Sequence, residues 1–154
     1  MKKIAVVLSG CGVFDGSEIH EATLTLLALD LEGASYVCAA PDVPQAKVHN
    51  HLTKSDAKSE TRNAAVESAR IARGNLALLK DLRVSQLDGL IIPGGFGAAL
   101  NLSSFATAGA DMDVNPELKT LLKEFISQKK PVAALCIAPP ILARVFRDLG
   151  VKGV

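Results

Sequence analysis

Three short segments bring together residue types that can do covalent chemistry. The first is Leu135-Cys136-Ile137-Ala138-Pro139-Pro140. An apolar run ends at the cysteine, and a helical pattern begins two residues later. In open parallel sheets, ligands bind beyond the carboxyl ends of the strands. A helix N-terminus adds a positive dipole and free N–H groups, which favour thiolate over thiol. The prolines suit a first helical turn, where an N–H would have no partner anyway. Read without chemistry, Cys136 is a small hydrophobe closing a strand.

The second segment is Pro93-Gly94-Gly95-Phe96-Gly97, again after an apolar run. Glycines let the backbone turn sharply and aim amides at a developing oxyanion. Paired with a cysteine at a neighbouring strand end, the turn predicts an oxyanion hole built from the Gly95 and Ile137 N–H groups. The third is Asp15-Gly16-Ser17-Glu18-Ile19-His20-Glu21. Glu18 and Glu21 are three apart and can share one helical face. A carboxyl group there can move protons on a substrate. For one of the two, the expected role is only to stabilise the helix dipole.

Other candidates carry less. Gly10-Cys11-Gly12-Val13-Phe14-Asp15-Gly16 approximates the dinucleotide fingerprint, with Asp42 after a second strand, but its last glycine is one residue too late. His20, His49 and His51 have no metal-ligand company in sequence. His49 and His51 alternate, so on a strand they would share a face in a polar network or at the surface. Cys38 lies within an apolar run and is expected in the core. Cys11 sits in a glycine loop. Ser103 and Ser104 could line a cleft, and the basic residues of 62–73 are expected on a solvated helix face.

The elements that must position these groups follow from apolar periodicity. Residues 4–8 read as a strand buried on both faces, 18–31 as a helix and 36–40 as a second strand. That is the β-α-β unit of a parallel sheet. Residues 48–52 form a short strand candidate. Helices are predicted at 60–73, 116–128 and 138–149, and strands at 87–93 and 131–136. Asn115 and Pro116 suit the cap and first turn of their helix. Residues 94–115 read as a long functional loop.

With 154 residues, the chain is expected to form one domain, 1–154. Net charge is +1, which gives no reason to expect nucleic acid or an anionic membrane as partner. Three cysteines without CxxC spacing argue against a disulfide framework or a zinc site. The basic start and apolar run at 4–8 begin like a signal peptide, but Ser9-Gly10-Cys11-Gly12 breaks the run. No apolar stretch is long enough for a transmembrane helix. The expected setting is cytoplasmic. The run after 149 stops at Val154 where a doubly wound sheet would continue, so the C-terminal part of the domain is expected to be missing.

Taken in order, these turns resemble the class I glutamine amidotransferase-like superfamily that includes PfpI-type proteins, and within it the ElbB-like branch. The resemblance is carried by the segment from Leu8 to Glu21, then by Asn50-His51-Leu52-Thr53, Glu60-Thr61-Arg62-Asn63 and Ala69-Arg70-Ile71-Ala72-Arg73-Gly74. Pro93-Gly94-Gly95-Phe96-Gly97-Ala98-Ala99, Asn101-Leu102-Ser103 and Cys136-Ile137-Ala138-Pro139 complete it. It implies a flavodoxin-like, doubly wound, mostly parallel sheet with helices on both faces, in a homodimer. It maps the family's nucleophile to Cys136 and its acidic partner to Glu21, with Glu18 the alternative. It also implies a glyoxalase activity that needs no cofactor and converts glyoxal, or a similar small dicarbonyl, to a hydroxy acid. A deglycase role and a link to isoprenoid biosynthesis are attached to the same branch. Ile137 stands where PfpI-type elbows often have histidine, which argues against protease or amidotransferase chemistry. A glutaminase-like subunit ranks last, because all three histidines precede Cys136. The rival reading is a non-enzymatic cysteine oxidation sensor.

Overall fold

The structure, a computed structural model, describes residues 1–151. Strand β1 (Lys3–Val7) leads through helix α1 (Ile19–Leu31) to β2 (Ser35–Ala40). A small hairpin of β3 (His49–Asn50) and β4 (Ser55–Asp56) follows, then α2 (Ala64–Ile71) and β5 (Leu76–Leu78). The chain then crosses to β6 (Gly89–Ile92), α3 (Phe96–Leu100), α4 (Phe105–Ala108), α5 (Pro116–Ser127), β7 (Val132–Ala134) and α6 (Pro139–Leu149). Five strands pair in parallel in the order β5-β2-β1-β6-β7. Strand order reverses between β1 and β6, so the topological switch point lies where both strands run into their loops.

Alternation along the strands explains why both faces are covered. Ala5, Val7, Ala39, Leu90 and Ile92 point to one face and pack with Leu118, Leu122 and Phe125 of α5 and Ile141 and Val145 of α6. Val6, Leu8, Cys38 and Ala40 point to the other, against Ala22 of α1 and Ala65 of α2. Fully burying a side chain such as Leu118 or Phe125 stabilises the fold by about 1.5–3 kcal/mol. This is the expected flavodoxin-like α/β sandwich, doubly wound with helices on both faces.

Several expected elements shift. The helix predicted over 60–73 starts only at Ala64, because the Asn63 side chain accepts from the Ala65 and Val66 N–H groups and caps it. Residues 62 and 63 instead tie back to the segment after β2, through Gln45 N–H to Arg62 O and an antiparallel bridge of Pro44 with Asn63. The long loop predicted at 94–115 contains α3, α4 and a 3-10 turn at Gly109–Asp111. The strand expected at 48–52 is only two residues long. Along α1, Ala22, Leu26 and Leu29 pack on the sheet, while Ile19 and Leu27 are exposed. Among the described residues, no helix is long and apolar enough to cross a membrane.

Candidate active site

Cys136 follows β7 directly. Leu135 N–H donates to Ile92 O and so extends the pairing with β6, after which Ala138 N–H closes a turn onto Leu135 O. Within that turn Cys136 adopts φ 55°. The left-handed region costs a non-glycine residue about 1–2 kcal/mol, and here it swings the side chain out to an exposed position. The helix that follows offers fewer donors than expected. Pro139 and Pro140 have no N–H, and Ile141 N–H is turned inward onto Ala138 O. The Ile137 N–H, next to the thiol, donates to no protein acceptor among the described residues.

Gly94 and Gly95 stand opposite. A Cβ on Gly94 would collide with the Cys136 Cβ, lie 2.5 Å from Glu21 Oε2 and 3.1 Å from Cys136 Sγ. Sulfur and carboxylate therefore meet around a glycine that has no room for a side chain. Gly95, at φ 96°, would drive a Cβ into Gly16 O and Glu18 N, so it too must be glycine. Its N–H donates to no protein acceptor among the described residues. The Gly94 N–H is taken, donating to Glu21 Oε2 at 2.7 Å. The Gly94 amide thus orients the acid.

The two candidate acids separate cleanly. Glu18 caps α1, its Oε2 accepting from Glu21 N–H at 2.7 Å while Oε1 lies 3.4 Å from His20 Nδ1. Glu21, one turn on, is the carboxylate at the elbow. No hydrogen bond joins it to Cys136 Sγ directly. Glu18 N–H in turn donates to Gly94 O at 2.9 Å, so the glycine peptide is held at both ends by the start of α1.

The loop between β1 and α1 is fixed by buried polar groups that single out no motif. Ser9 N–H donates to Ser17 Oγ, and Gly10 N–H to Ser68 Oγ. Asn101 Nδ2 donates to Ser9 O and Asp15 O, while its Oδ1 accepts from Ala46 N–H. Asp15 accepts from His49 N–H. In sequence Asn101 shows as a polar residue interrupting the small apolar stretch after Gly97, within a segment that carries the family resemblance.

His49 and His51 lie in a polar network. His49 Nδ1 lies 2.6 Å from Asp56 Oδ1, which holds the exposed Asp56 carboxyl below its ordinary value, chiefly through this hydrogen bond. His51 Nε2 accepts from Phe14 N–H, and its Nδ1 faces His49 O, which fixes the tautomer with the proton on Nδ1. Among the described residues, no group of three or more His, Cys, Asp or Glu side chains could hold a metal ion.

Neither remaining thiol resembles Cys136. Cys38 is buried within β2, and burial pushes its pKa up to about 11. Cys11 is half-buried; burial raises its pKa, opposed by Arg70 and helped by Glu67 and Asp15. The helix face expected to be solvated is not wholly so. Glu67 is buried and pairs with Arg70 at 2.8 Å and Arg62 at 3.6 Å. Asp42 binds Asn63 Nδ2. Ser103 and Ser104 line a cleft of about 650 Å³ beside α5, where Ser103 Oγ donates to Ala98 O.

Comparison with known proteins agrees with this architecture. Residues 3–146 match the DJ-1/PfpI family. The ES1 protein homolog, mitochondrial, of Rattus norvegicus is 49% identical over 149 residues, covering 97% of this chain and 56% of that protein. The Homo sapiens glutamine amidotransferase-like class 1 domain-containing protein 3, mitochondrial, is also 49% identical, with the same coverage. The chain thus spans about half the length of these curated relatives. The crystal structure of an isoprenoid biosynthesis protein with amidotransferase-like domain from Ehrlichia chaffeensis superposes with a TM-score of 0.89 at 41% identity, covering 96% of this chain and 69% of that one.

Proposed function

For a chain that belongs to the DJ-1/PfpI family, we propose that Cys136 is the nucleophile of a glyoxalase-like reaction that needs no cofactor, with Glu21 as proton carrier. The observation that carries this reading is the meeting of Cys136 Sγ and Glu21 Oε2 around Gly94. The sulfur adds to one aldehyde carbon of glyoxal, and its proton goes to the new oxygen. That oxygen is stabilised by the Gly95 and Ile137 amides, both free of protein acceptors. Glu21 takes the C–H proton from this carbon and delivers it to the neighbouring carbon through an enediol, while the hydroxyl proton on the first oxygen passes to the second. The first carbon is thereby oxidised to a thioester and the second reduced to an alcohol. Water then adds to the thioester, the C–S bond breaks, and glycolate leaves as the thiol reforms. The redox change is internal to the substrate, so no external oxidant or reductant enters.

Membership of the ElbB-like branch, a deglycase extension to sugar-type adducts and a homodimer all belong to the same proposal. A working thiol needs a reducing compartment. The cytoplasm provides one, and the mammalian relatives carry mitochondrial names. Formation of glycolate from glyoxal tests the reading. Wild-type protein turns over and Cys136→Ser does not; equal turnover by the two, or none by wild type, overturns it.

One observation favours the oxidation-sensor reading: Cys136 is the exposed thiol of the three. Peroxide titration followed by mass spectrometry separates the two. Selective oxidation of Cys136 in a protein that makes no glycolate assigns it to sensing.

A further inference from the structure

We infer that Asn101 is a positioning residue for the proposed reaction: its carboxamide fixes the β1–α1 loop, and through that loop Glu21 and the Gly94-Gly95 turn. Asn101 closes α3 and is 8% exposed. Its Nδ2 gives one N–H to Ser9 O at 2.8 Å and the other to Asp15 O at 2.9 Å. Its Oδ1 accepts from Ala46 N–H at 2.9 Å. Turned over, the amide would set its oxygen against two carbonyls and its NH2 against an N–H, so the orientation is forced. The end of β1, the loop before α1 and the segment after β2 thus meet on one side chain. A buried carbonyl stripped of its donor costs more than the bond itself contributes, so the loop is held at both Ser9 and Asp15.

The loop in turn grips the glycine turn. Phe96 N–H donates to Val13 O at 2.7 Å, and Gly97 N–H to Gly16 O at 2.9 Å. Glu18 N–H donates to Gly94 O at 2.9 Å, and Gly94 N–H to Glu21 Oε2 at 2.7 Å. Residues 13–21 therefore hold residues 94–97 along their whole length. Asp15 directly precedes Gly16, so Asn101 binds the peptide beside one of the gripping carbonyls. The strip is close-packed as well. A Cβ on Gly97 would collide with Ser9 Oγ and Gly16, and one on Gly95 with Gly16 and Glu18. Contacts this tight transmit a displacement rather than absorb it. None of the Asn101 side-chain bonds goes to Cys136 or Glu21; it acts through the backbone of the loop.

This inference rests on the proposed reaction for turnover but not for geometry, and the experiment keeps the two apart. The probe is the Gly94 amide resonance in 1H–15N NMR, with Glu21→Ala marking where it falls once the carboxylate bond is gone. Asn101→Asp keeps the shape and the acceptor and removes both donors. Asn101→Ser retains at most one donor and sets no carboxylate against the two carbonyls. In either folded variant the Gly94 resonance should move toward its Glu21→Ala position, while the buried Leu122 of α5 keeps its own. A merely structural role would lower the melting temperature and leave Gly94 unmoved in the folded molecules. With glyoxal, kcat should fall at least about tenfold, as misplaced catalytic groups do, and KM should change less. If neither variant folds, the wild type decides. Warmed short of its melting transition, its Gly94 resonance and the Asn101 NH2 pair should hold or move together, and either moving alone overturns the inference. A Gly94 resonance unmoved in a folded variant, or a displaced one with full turnover, also overturns it. Displacement of Gly94 in a protein whose wild type makes no glycolate upholds the positioning of the acid and overturns the reaction.

Discussion

Cys38 sits inside β2, 3% exposed and in register with Val6 of β1, while Cys136 stands just past β7, exposed, at φ 55°. The same side chain thus has two environments on one parallel sheet. At Cys38 the strand continues, both faces are covered, and burial pushes the thiol up to about 11. At Cys136 the strand has ended, and the chain turns through a backbone conformation that presents the sulfur to Gly94 and Glu21. Cys11 falls between them, half-buried in a loop threaded by buried hydroxyls. The comparison teaches that thiol exposure here is written in the backbone: where a strand stops decides which cysteine opens to solvent.

The largest test of that contrast exchanges sulfur for oxygen at each site. Cys136→Ser should reduce glyoxal turnover by at least about 10³-fold. Cys38→Ser should leave turnover within about twofold but destabilise the fold by roughly 1–3 kcal/mol in urea titration, because a hydroxyl replaces a thiol in an apolar cluster. Loss of activity without loss of stability in Cys38→Ser would break the comparison.

Next in size is Gly94→Ala. Its new methyl must displace either the Cys136 Cβ or the Glu21 carboxylate. Displacements of this order cost about 10²-fold in rate, so kcat should fall by that factor while circular dichroism shows an intact fold. A third test uses pH. Because Cys38 has a raised pKa in the folded state, its stabilising contribution is complete below the ordinary thiol value of 9.0 and is lost as pH rises through about 11. Melting temperature should drop across that window by the equivalent of roughly 2 kcal/mol, and Cys38→Val should flatten the profile. The smallest effect is expected at Glu18. Removing this cap in Glu18→Ala should cost about 1 kcal/mol of stability, with less effect on turnover than Glu21→Ala.

Much of this arrangement is legible in the sequence where one local rule decides. Continuous apolar runs ending at glycine mark β1 and β6, and Asn115-Pro116 marks the start of α5. The strand-end rule places Cys136, Gly94 and the first turn of α1 on one edge, which is where the structure brings them. The division of labour between Glu18 and Glu21 is not legible at that level, since it turns on a bond from Gly94 73 residues away in sequence. Strand β5 has three residues, too few to show a period, and owes its place to pairing with Cys38–Ala40 of β2. The burial of Asn101 and Glu67 is equally opaque. Asn101 serves carbonyls 92 and 86 residues distant, and Glu67 needs Arg70 beside it and Arg62 from outside its helix.

The pinning of the Gly94 peptide has a consequence for hydrogen exchange. Its N–H is held by Glu21 and its carbonyl by Glu18 N–H, whereas the very next amide, Gly95, has no acceptor among the described residues. Two adjacent amides at one turn should therefore exchange at rates separated by orders of magnitude, slow at Gly94 and fast at Gly95. Replacing Glu21 with alanine would collapse that gap. The pair is thus a built-in gauge of whether that side chain holds the turn, readable by NMR one residue at a time.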